Sequence, residues 1–440
     1  MQDAHNVRTC YTPPVVLKAH VLHRRLVLGI FAAALVLRLA FIFYFDTWRI
    51  SPETDHWAFG YETGRVARSL AEGHGFASPF QEPTGPTAWL APGYPWLLSL
   101  LFLIFGVYSP ASAMAALVIN GLFSAVTCLV VFRLGRAFYD ETTGLLGAAL
   151  FALSPASIWH TITSIWDVTL GTLLLALLVS CLRRLQFSLN LKLAAVTGVM
   201  AGMLALVNPT CLTVYVAGVA WICFQERRHP RLLLGVCTVL AGVPALLCLP
   251  WMVRNQLVLH QFSIKSNFGT ELRIGNNPLA PASPGTDVMD LHPTHTEFAI
   301  YRKLGEPGYV AWCQREAITF IRQNPTVFLK LVARRVLVFW TGVQDNNFKG
   351  NLKTGVHWSA MKRLIMGSWA LLALLGLAAG FRARDHMLLL LMILAYPLPY
   401  YLTHATNRYR LPLEPVLMVL SAHGLIWVWQ RWQAARLRRH

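Results

Sequence analysis

The chain has 440 residues, 55% of them hydrophobic and only 13% charged. Soluble domains carry roughly twice that charged fraction, so a water-soluble fold is excluded. The formal net charge is +18, but the basic residues gather at the ends of apolar runs. That distribution marks membrane topology, and it points away from nucleic acid.

Residues 1–25 read as a cytoplasmic tail carrying Lys18, Arg24 and Arg25. The apolar run from Leu26 to Phe45 can cross a bilayer, and it lacks the small-residue cleavage site of a signal peptide. It is therefore expected to stay as the first span. Arg38 within it is expected near the outer end, where a long side chain can snorkel.

A long outer loop, about 46–110, contains the segment Ser51-Pro-Glu-Thr-Asp-His-Trp-Ala-Phe-Gly-Tyr-Glu62. Asp55 and Glu62 are seven residues apart, so a helix there would place both carboxylates on one face. The whole chain has 20 Asp and Glu against 38 Lys and Arg. Acids this scarce at a bilayer surface are candidates for chemistry, although an exposed helix face would explain the pair equally well in isolation.

Further spans follow at about 111–135, 143–160, 168–184, 192–208, 210–225, 232–251, 363–381, 386–403 and 411–430. Arg133, Arg136, Arg183, Arg184, Arg227, Arg228, Arg382 and Arg384 mark cytoplasmic ends. The expectation is an all-α polytopic membrane protein of about ten transmembrane helices, with both termini cytoplasmic. Pro95 to Gly106, and Val327 to Thr341 with its Lys330, Arg334 and Arg335, are expected as outer-face interfacial helices in two long loops. No CxxC is present among the eight cysteines, and no zinc cluster or disulfide framework is readable.

Topology brings four polar groupings to the outer side. The first is Asp55 and Glu62 with Trp57 and Tyr61. The second is Trp166-Asp167, preceded by His160; an N-cap for the next span would also account for Asp167. The third is Arg254-Asn255 with Lys265, Arg273 and Gly275-Asn276-Asn277. The fourth runs from His404 through Arg408 and Tyr409 to Arg410. A carboxylate can take the proton of an attacking hydroxyl or amine, and arginine forks can hold a phosphate leaving group. The spans themselves hold few ionisable residues, and no internal repeats are visible, which weighs against a transporter or flippase of lipid-linked sugars.

The ordered series resembles the GT-C glycosyltransferases, the polytopic enzymes related to protein O-mannosyltransferases and the lipid A aminoarabinose transferase. The residues that carry the resemblance are Arg38, Asp55 and Glu62, the stretch Gly64 to Gly75 with its Gly-x-Gly end, and Pro83 to Pro95. Asn120, Ser154-Pro155, Asp167, Asn208-Pro209, Pro250-Trp251, Arg254-Asn255 and Arg408-Tyr-Arg-Leu-Pro412 complete it.

That resemblance implies a GT-C-type bundle with a catalytic module over 26–251, including the outer loop 46–110. An outer region at 252–362, C-terminal spans at 363–430 and a basic tail at 431–440 follow it. It implies a polyprenyl-phosphate sugar as donor, a catalytic acid matching Asp55 or Glu62, and a second acid matching Asp167. Relatives carry an adjacent Asp-Glu pair, whereas here His56 follows Asp55 and Glu62 stands apart. Arg254, Lys265, Arg408, Arg410 and Tyr409 are then expected to bind the donor phosphate. Trp57, Tyr61, His160 and Asn276 are expected to contact the acceptor or sugar. A single displacement would invert the anomeric centre.

A divalent ion is compatible with Asp55, His56, Glu62 and Asp167, but their spacing does not specify one. The partners expected are membrane lipid, the lipid-phosphate donor and an acceptor whose identity the sequence does not give. The expected setting is a bacterial inner membrane, with the active site facing the periplasm. With this threading, an Asp140→Cys variant reacts with a membrane-impermeant maleimide only after permeabilisation. Labelling of intact cells or outward-facing vesicles would overturn the threading.

Overall fold

The computed structural model describes residues 14–50, 59–280, 291, 293–342 and 355–438. Asp55, His56 and Trp57 lie outside the described residues.

The described chain is helical almost throughout. In order, it forms α1 (Pro14–Tyr44), α2 (Glu62–Ala71), α3 (Gly93–Phe105), α4 (Pro110–Phe138), α5 (Glu141–Ala152) and α6 (Pro155–Thr163). Next come α7 (Val168–Phe187), α8 (Leu191–Val207), a short 3-10 turn, α9 (Leu212–Gln225) and α10 (Pro230–Leu259). The outer helices α11 (Phe268–Gly275), α12 (Thr296–Gln323) and α13 (Pro325–Thr341) precede α14 (Gly355–Ala379), α15 (Ala383–Ala395) and α16 (Leu398–Leu402). A 3-10 stretch, Asn407–Leu413, then leads into α17 (Glu414–Leu437).

Several helix starts follow from local chemistry. Ser109 and Ser154 each cap a helix whose first residue is proline, and Asp140 and Asn190 cap α5 and α8 with their side chains. Each cap satisfies a backbone N–H that the helix leaves unpaired, and a proline at the first position removes another.

Six helices among the described residues are long and apolar enough to cross a membrane. The pair α5 and α6, bent by 46°, makes a seventh if it is one span. The stretches expected to complete a set of ten correspond to shorter apolar helices at Leu191–Val207, Pro209–Gln225 and Arg363–Ala379. The helix at Gly93–Phe105 is also short and apolar, and its first turn abuts the end of α8, where a Cβ on Gly93 would lie 2.8 Å from the Leu206 carbonyl oxygen.

The main core is shared by α4, α5, α7, α8 and α17, with Leu178, Leu182, Leu417 and Leu420 fully enclosed. Small residues set the closest approaches. A Cβ on Gly376 of α14 would stand 1.9 Å from the Leu420 carbonyl oxygen of α17, so these helices touch backbone to backbone. A second layer caps one end of the bundle. Phe59, Tyr94, Leu98, Phe102, Ile162 and Ile165 form one apolar cluster there, and Phe80, Trp89, Phe298, Tyr301 and Tyr309 form another. The two long regions between spans are therefore packed against one another and against the helix ends.

Arg38 departs from expectation. It does not snorkel; it is 0% exposed. Its Nε donates to Ser124 Oγ at 2.8 Å, and its Nη1 donates to the Ala34 and Ala152 carbonyls at 3.0 and 3.1 Å. Ala152 ends α5, so the guanidinium satisfies a carbonyl freed by the bend between α5 and α6. Replacing it with Met takes this donor from the Ala152 carbonyl at the bend, and a buried acceptor left unpaired costs about 1–3 kcal/mol. Arg38→Met should lower the thermal midpoint of the detergent-purified protein by several degrees. An unchanged midpoint would remove this role.

Candidate active site

The site is built at the capped end of the bundle, and its first element is a turn. Gly60 and Tyr61 both have positive φ, 72° and 46°, so the chain turns sharply and α2 begins at Glu62. Asp55 and Glu62 therefore do not share one continuous helix. A Cβ on Gly60 would lie 2.1 Å from Trp166 Cδ1 and 2.6 Å from the Ile165 carbonyl oxygen. Only glycine lets the turn ride directly over Trp166, and this contact sets Glu62 beside the 165–167 segment. At the far end of α2, Gly73 and Gly75 also have positive φ, 81° and 79°, in keeping with the expected Gly-x-Gly turn.

Asp167 occupies the N-cap position of α7 but makes no side-chain capping bond. Its carboxylate is left for the recess. Behind it, Tyr94 Oη donates to Asn120 Oδ1 at 3.1 Å, and Asn120 Nδ2 donates to the Ser164 carbonyl at 3.2 Å. The loop between α6 and α7 is thereby tied to α3 and α4.

The cation at the centre is Arg408. Its Cζ lies 3.9 Å from the centroid of the Trp166 ring and 5.2 Å from that of Tyr409, an attraction strengthened where water is scarce. Arg408 Nη2 donates to Tyr409 Oη at 3.4 Å, and Tyr409 Oη lies 2.9 Å from His404 Nε2. His404 Nδ1 stands 3.2 Å from Glu271 Oε2, while Asn267 Nδ2 donates to Glu271 Oε1 at 2.8 Å. A polar chain thus runs from α11 through an imidazole and a phenol to the guanidinium.

Burial pushes the Glu62 carboxyl above its ordinary pKa; its own backbone N–H, Arg408 and Lys265 oppose the rise, and Glu271 adds to it. Asp167 is also pushed up by burial, against Lys265 and Arg408. Burial pushes His404 down, with Glu271 opposing. The two carboxylates therefore feel the same two cations, although Glu62, Asp167, Lys265 and Arg408 come from four separate stretches of chain. All four side chains are half-buried, enclosed yet reachable. His160 lies alongside, its ring 6.1 Å from that of Trp166.

Three residues expected at the site sit elsewhere. Arg254 belongs to α10, which runs past its expected end to Leu259. Its guanidinium donates to the Thr87 carbonyl at 2.6 Å and the Phe76 carbonyl at 2.8 Å, so it holds the first outer loop. Arg410 is 0% exposed, and its Nη1 donates to the Trp340 and Met366 carbonyls. Asn276 is also fully enclosed; its Nδ2 donates to the Leu272 and Leu402 carbonyls at 2.7 and 2.9 Å. All three act on the backbone. Tyr61 sits at the edge, with the Arg65 guanidinium 4.9 Å from its ring centroid.

Sequence reasoning passed over Glu271, Glu306 and Arg335. Glu306 is buried, and it accepts from Thr87 Oγ1, from the Ala88 N–H at 2.8 Å and from Ser266 Oγ at 2.7 Å. It clamps the loop that Arg254 grips from the other side. Burial pushes its carboxyl up, against these donors. Arg335 donates to the Tyr401 and Leu402 carbonyls at 3.0 and 3.1 Å and to the Gly275 carbonyl, which joins the end of α11 to the segment bearing His404 and Arg408. For the two glutamates the only signal in sequence was that acids are scarce, while Arg335 read only as a basic residue of an interfacial helix.

Among the described residues, no group of three His, Cys, Asp or Glu side chains is arranged to hold a metal ion. Arg408 and Lys265 stand close enough to Glu62 and Asp167 for both cations to act on both carboxylates.

With this arrangement in hand, the relatives are informative. In the apo form, the Archaeoglobus fulgidus oligosaccharyltransferase superposes with a TM-score of 0.52 at 15% identity, covering 95% of this chain and 52% of that one. This is a GT-C-type fold. A second structure of that oligosaccharyltransferase, AglB with an inhibitory peptide and a dolichol-phosphate, gives 0.52 and 15%, over 93% and 51% of the two chains. The present chain spans about half the length of those it matches. ArnT from Cupriavidus metallidurans bound to undecaprenyl phosphate gives 0.41 at 12% identity, over 89% and 77%. Residues 88–253 match the family model described as dolichyl-phosphate-mannose-protein mannosyltransferase. No curated protein matches the sequence. Of the residues gathered around Arg408, that matched segment contains His160, Trp166 and Asp167; Glu62 precedes it, and the cations and Glu271 follow it.

Within this GT-C fold, Gly60→Ala tests whether the turn over Trp166 positions Glu62. The added methyl cannot fit without displacing either the turn or the indole. Misplacements near 1 Å can cost on the order of 100-fold in rate. A large loss of the site's activity with a near-normal melting temperature is expected. Full activity would separate the turn from the site.

Proposed function

We propose that the chain is an integral membrane glycosyltransferase that moves a sugar from a polyprenyl-phosphate donor to an acceptor hydroxyl or amine at the outer face. The observation that carries this reading is Arg408 stacked 3.9 Å from the Trp166 ring centroid, with the Gly60 turn before Glu62 packed on the same indole and Asp167 next to it; Arg408 and Lys265 act on both carboxylates. The family description matched over 88–253 names a lipid-phosphate sugar of the same chemical class.

The donor phosphate rests on Arg408 and Lys265. Tyr409, His404 and Glu271 hold the guanidinium in place, so little reorganisation is needed as charge develops. The acceptor attacks the anomeric carbon from the side opposite the phosphate. A new bond forms there, the bond to the phosphate oxygen breaks, and its electron pair leaves on the phosphate. The acceptor proton passes to the Glu62 carboxylate, whose raised pKa makes it a stronger base than an exposed glutamate. Asp167 orients the acceptor. One displacement inverts the configuration. Asp55 is the competing base and is tested beside Glu62.

Purified protein supplied with a radiolabelled polyprenyl-phosphate sugar provides the test. Glu62→Gln should lose about 100-fold or more of transfer. Arg408→Ala should lose a comparable factor through the leaving group. Asp55→Asn should lose less than Glu62→Gln. If both acid variants retain full transfer, the assignment fails. Movement of labelled lipid across vesicles without cleavage would favour a flippase.

The acid limb of the rate profile is a second check. The base must be ionised, so activity falls as pH drops through the elevated pKa of Glu62. The limb should therefore lie above the ordinary glutamate value of about 4.3, and it should be absent from the residual rate of Glu62→Gln. A limb at or below the ordinary value would contradict Glu62 as the base.

A further inference from the structure

At the opposite end of α7 from Asp167 lies an open groove of about 740 Å³. The helix between them has 20 residues, about 30 Å at 1.5 Å per residue, close to a full hydrocarbon thickness. The groove therefore opens at the other membrane face, out of reach of the recess around Arg408.

Its walls are of two kinds. Arg184, Asn190 and Lys192 line the polar mouth, while Phe187, Leu193 and Val196 supply an apolar side. Phe187 and Val196 are each 50% exposed. Arg183, also in the lining, is already committed. It pairs with Asp385 at 3.3 Å, donates to the Ala137 carbonyl at 3.1 Å, and its guanidinium sits 4.1 Å from the Phe187 ring centroid. Arg384 approaches the same ring, at 5.5 Å, so Phe187 is held in place between cations. Neither Arg184 nor Lys192 has an ion-pair partner among the described residues, and both are exposed.

We infer that this groove binds an anionic phospholipid of that leaflet, its phosphate between Arg184 and Lys192 and an acyl chain along Leu193 and Val196. Charge complementarity selects an anion. The apolar wall, which continues down the exposed face of α8, selects an amphiphile over a soluble phosphate. The position, where a span leaves the hydrocarbon, matches the depth of a headgroup.

Native mass spectrometry of the purified protein titrated with phosphatidylglycerol, phosphatidylcholine or glycerol phosphate tests the site. Phosphatidylglycerol is expected to bind at least tenfold more tightly than phosphatidylcholine. A basic residue near an anionic lipid contributes about fivefold in affinity, so Arg184→Gln with Lys192→Gln should weaken phosphatidylglycerol by about 25-fold. Val196→Trp keeps both charges and blocks the apolar wall from an exposed position; it should reduce phosphatidylglycerol binding to a similar degree. Equal binding of the two lipids, or unchanged affinity in both variants, overturns the proposal. Displacement of phosphatidylglycerol by an equal concentration of glycerol phosphate would make the site one for a soluble phosphate, and would overturn it too.

Discussion

A backbone carbonyl without a donor is costly away from water, and this protein breaks its helices repeatedly at or near the bilayer. The breaks are closed by guanidinium groups. Arg38 serves the end of α5, Arg254 the loop strands at Phe76 and Thr87, Arg335 the ends of α11 and α16, and Arg410 the end of α13. An arginine offers five donors in a rigid fork and stays charged even when enclosed, which suits it to gather acceptors from several segments. Without these clamps the outer cap would have no fixed relation to the spans.

Those commitments also decide which cation remains for a ligand. Arg254 donates to the Thr87 and Phe76 carbonyls and Arg410, through Nη1, to those of Trp340 and Met366, whereas Arg408 lies over an indole and donates to the hydroxyl of Tyr409. A guanidinium held by a ring face keeps its edge for an anion. Lys265 adds a second positive charge, and the two together limit how far burial can raise the Glu62 and Asp167 carboxyls. Enclosure and fixed cations therefore act on the same two carboxyls in opposite directions.

Membrane character and the order of the long spans were legible because apolar length is a local property, read from each run by itself. The caps at Ser109, Asp140, Ser154 and Asn190 are equally local, since a cap acts within three residues, although none of them was assigned from sequence. Asp167 was ambiguous from sequence; in the structure its side chain makes no capping bond and feels Lys265 and Arg408. Glu271 and Glu306 gave no local pattern. Their significance comes from partners far along the chain, such as His404 for the first and Thr87 for the second.

The amino-acid order alone determined that the chain lives in a bilayer and where its long apolar helices fall. It could not tell one arginine from another, because Arg254, Arg408 and Arg410 all occur beside span ends with similar neighbours. Only the folded chain made that distinction. A guanidinium's role depends on which acceptors lie within about 3 Å, and those acceptors arrive from segments dozens to hundreds of residues away.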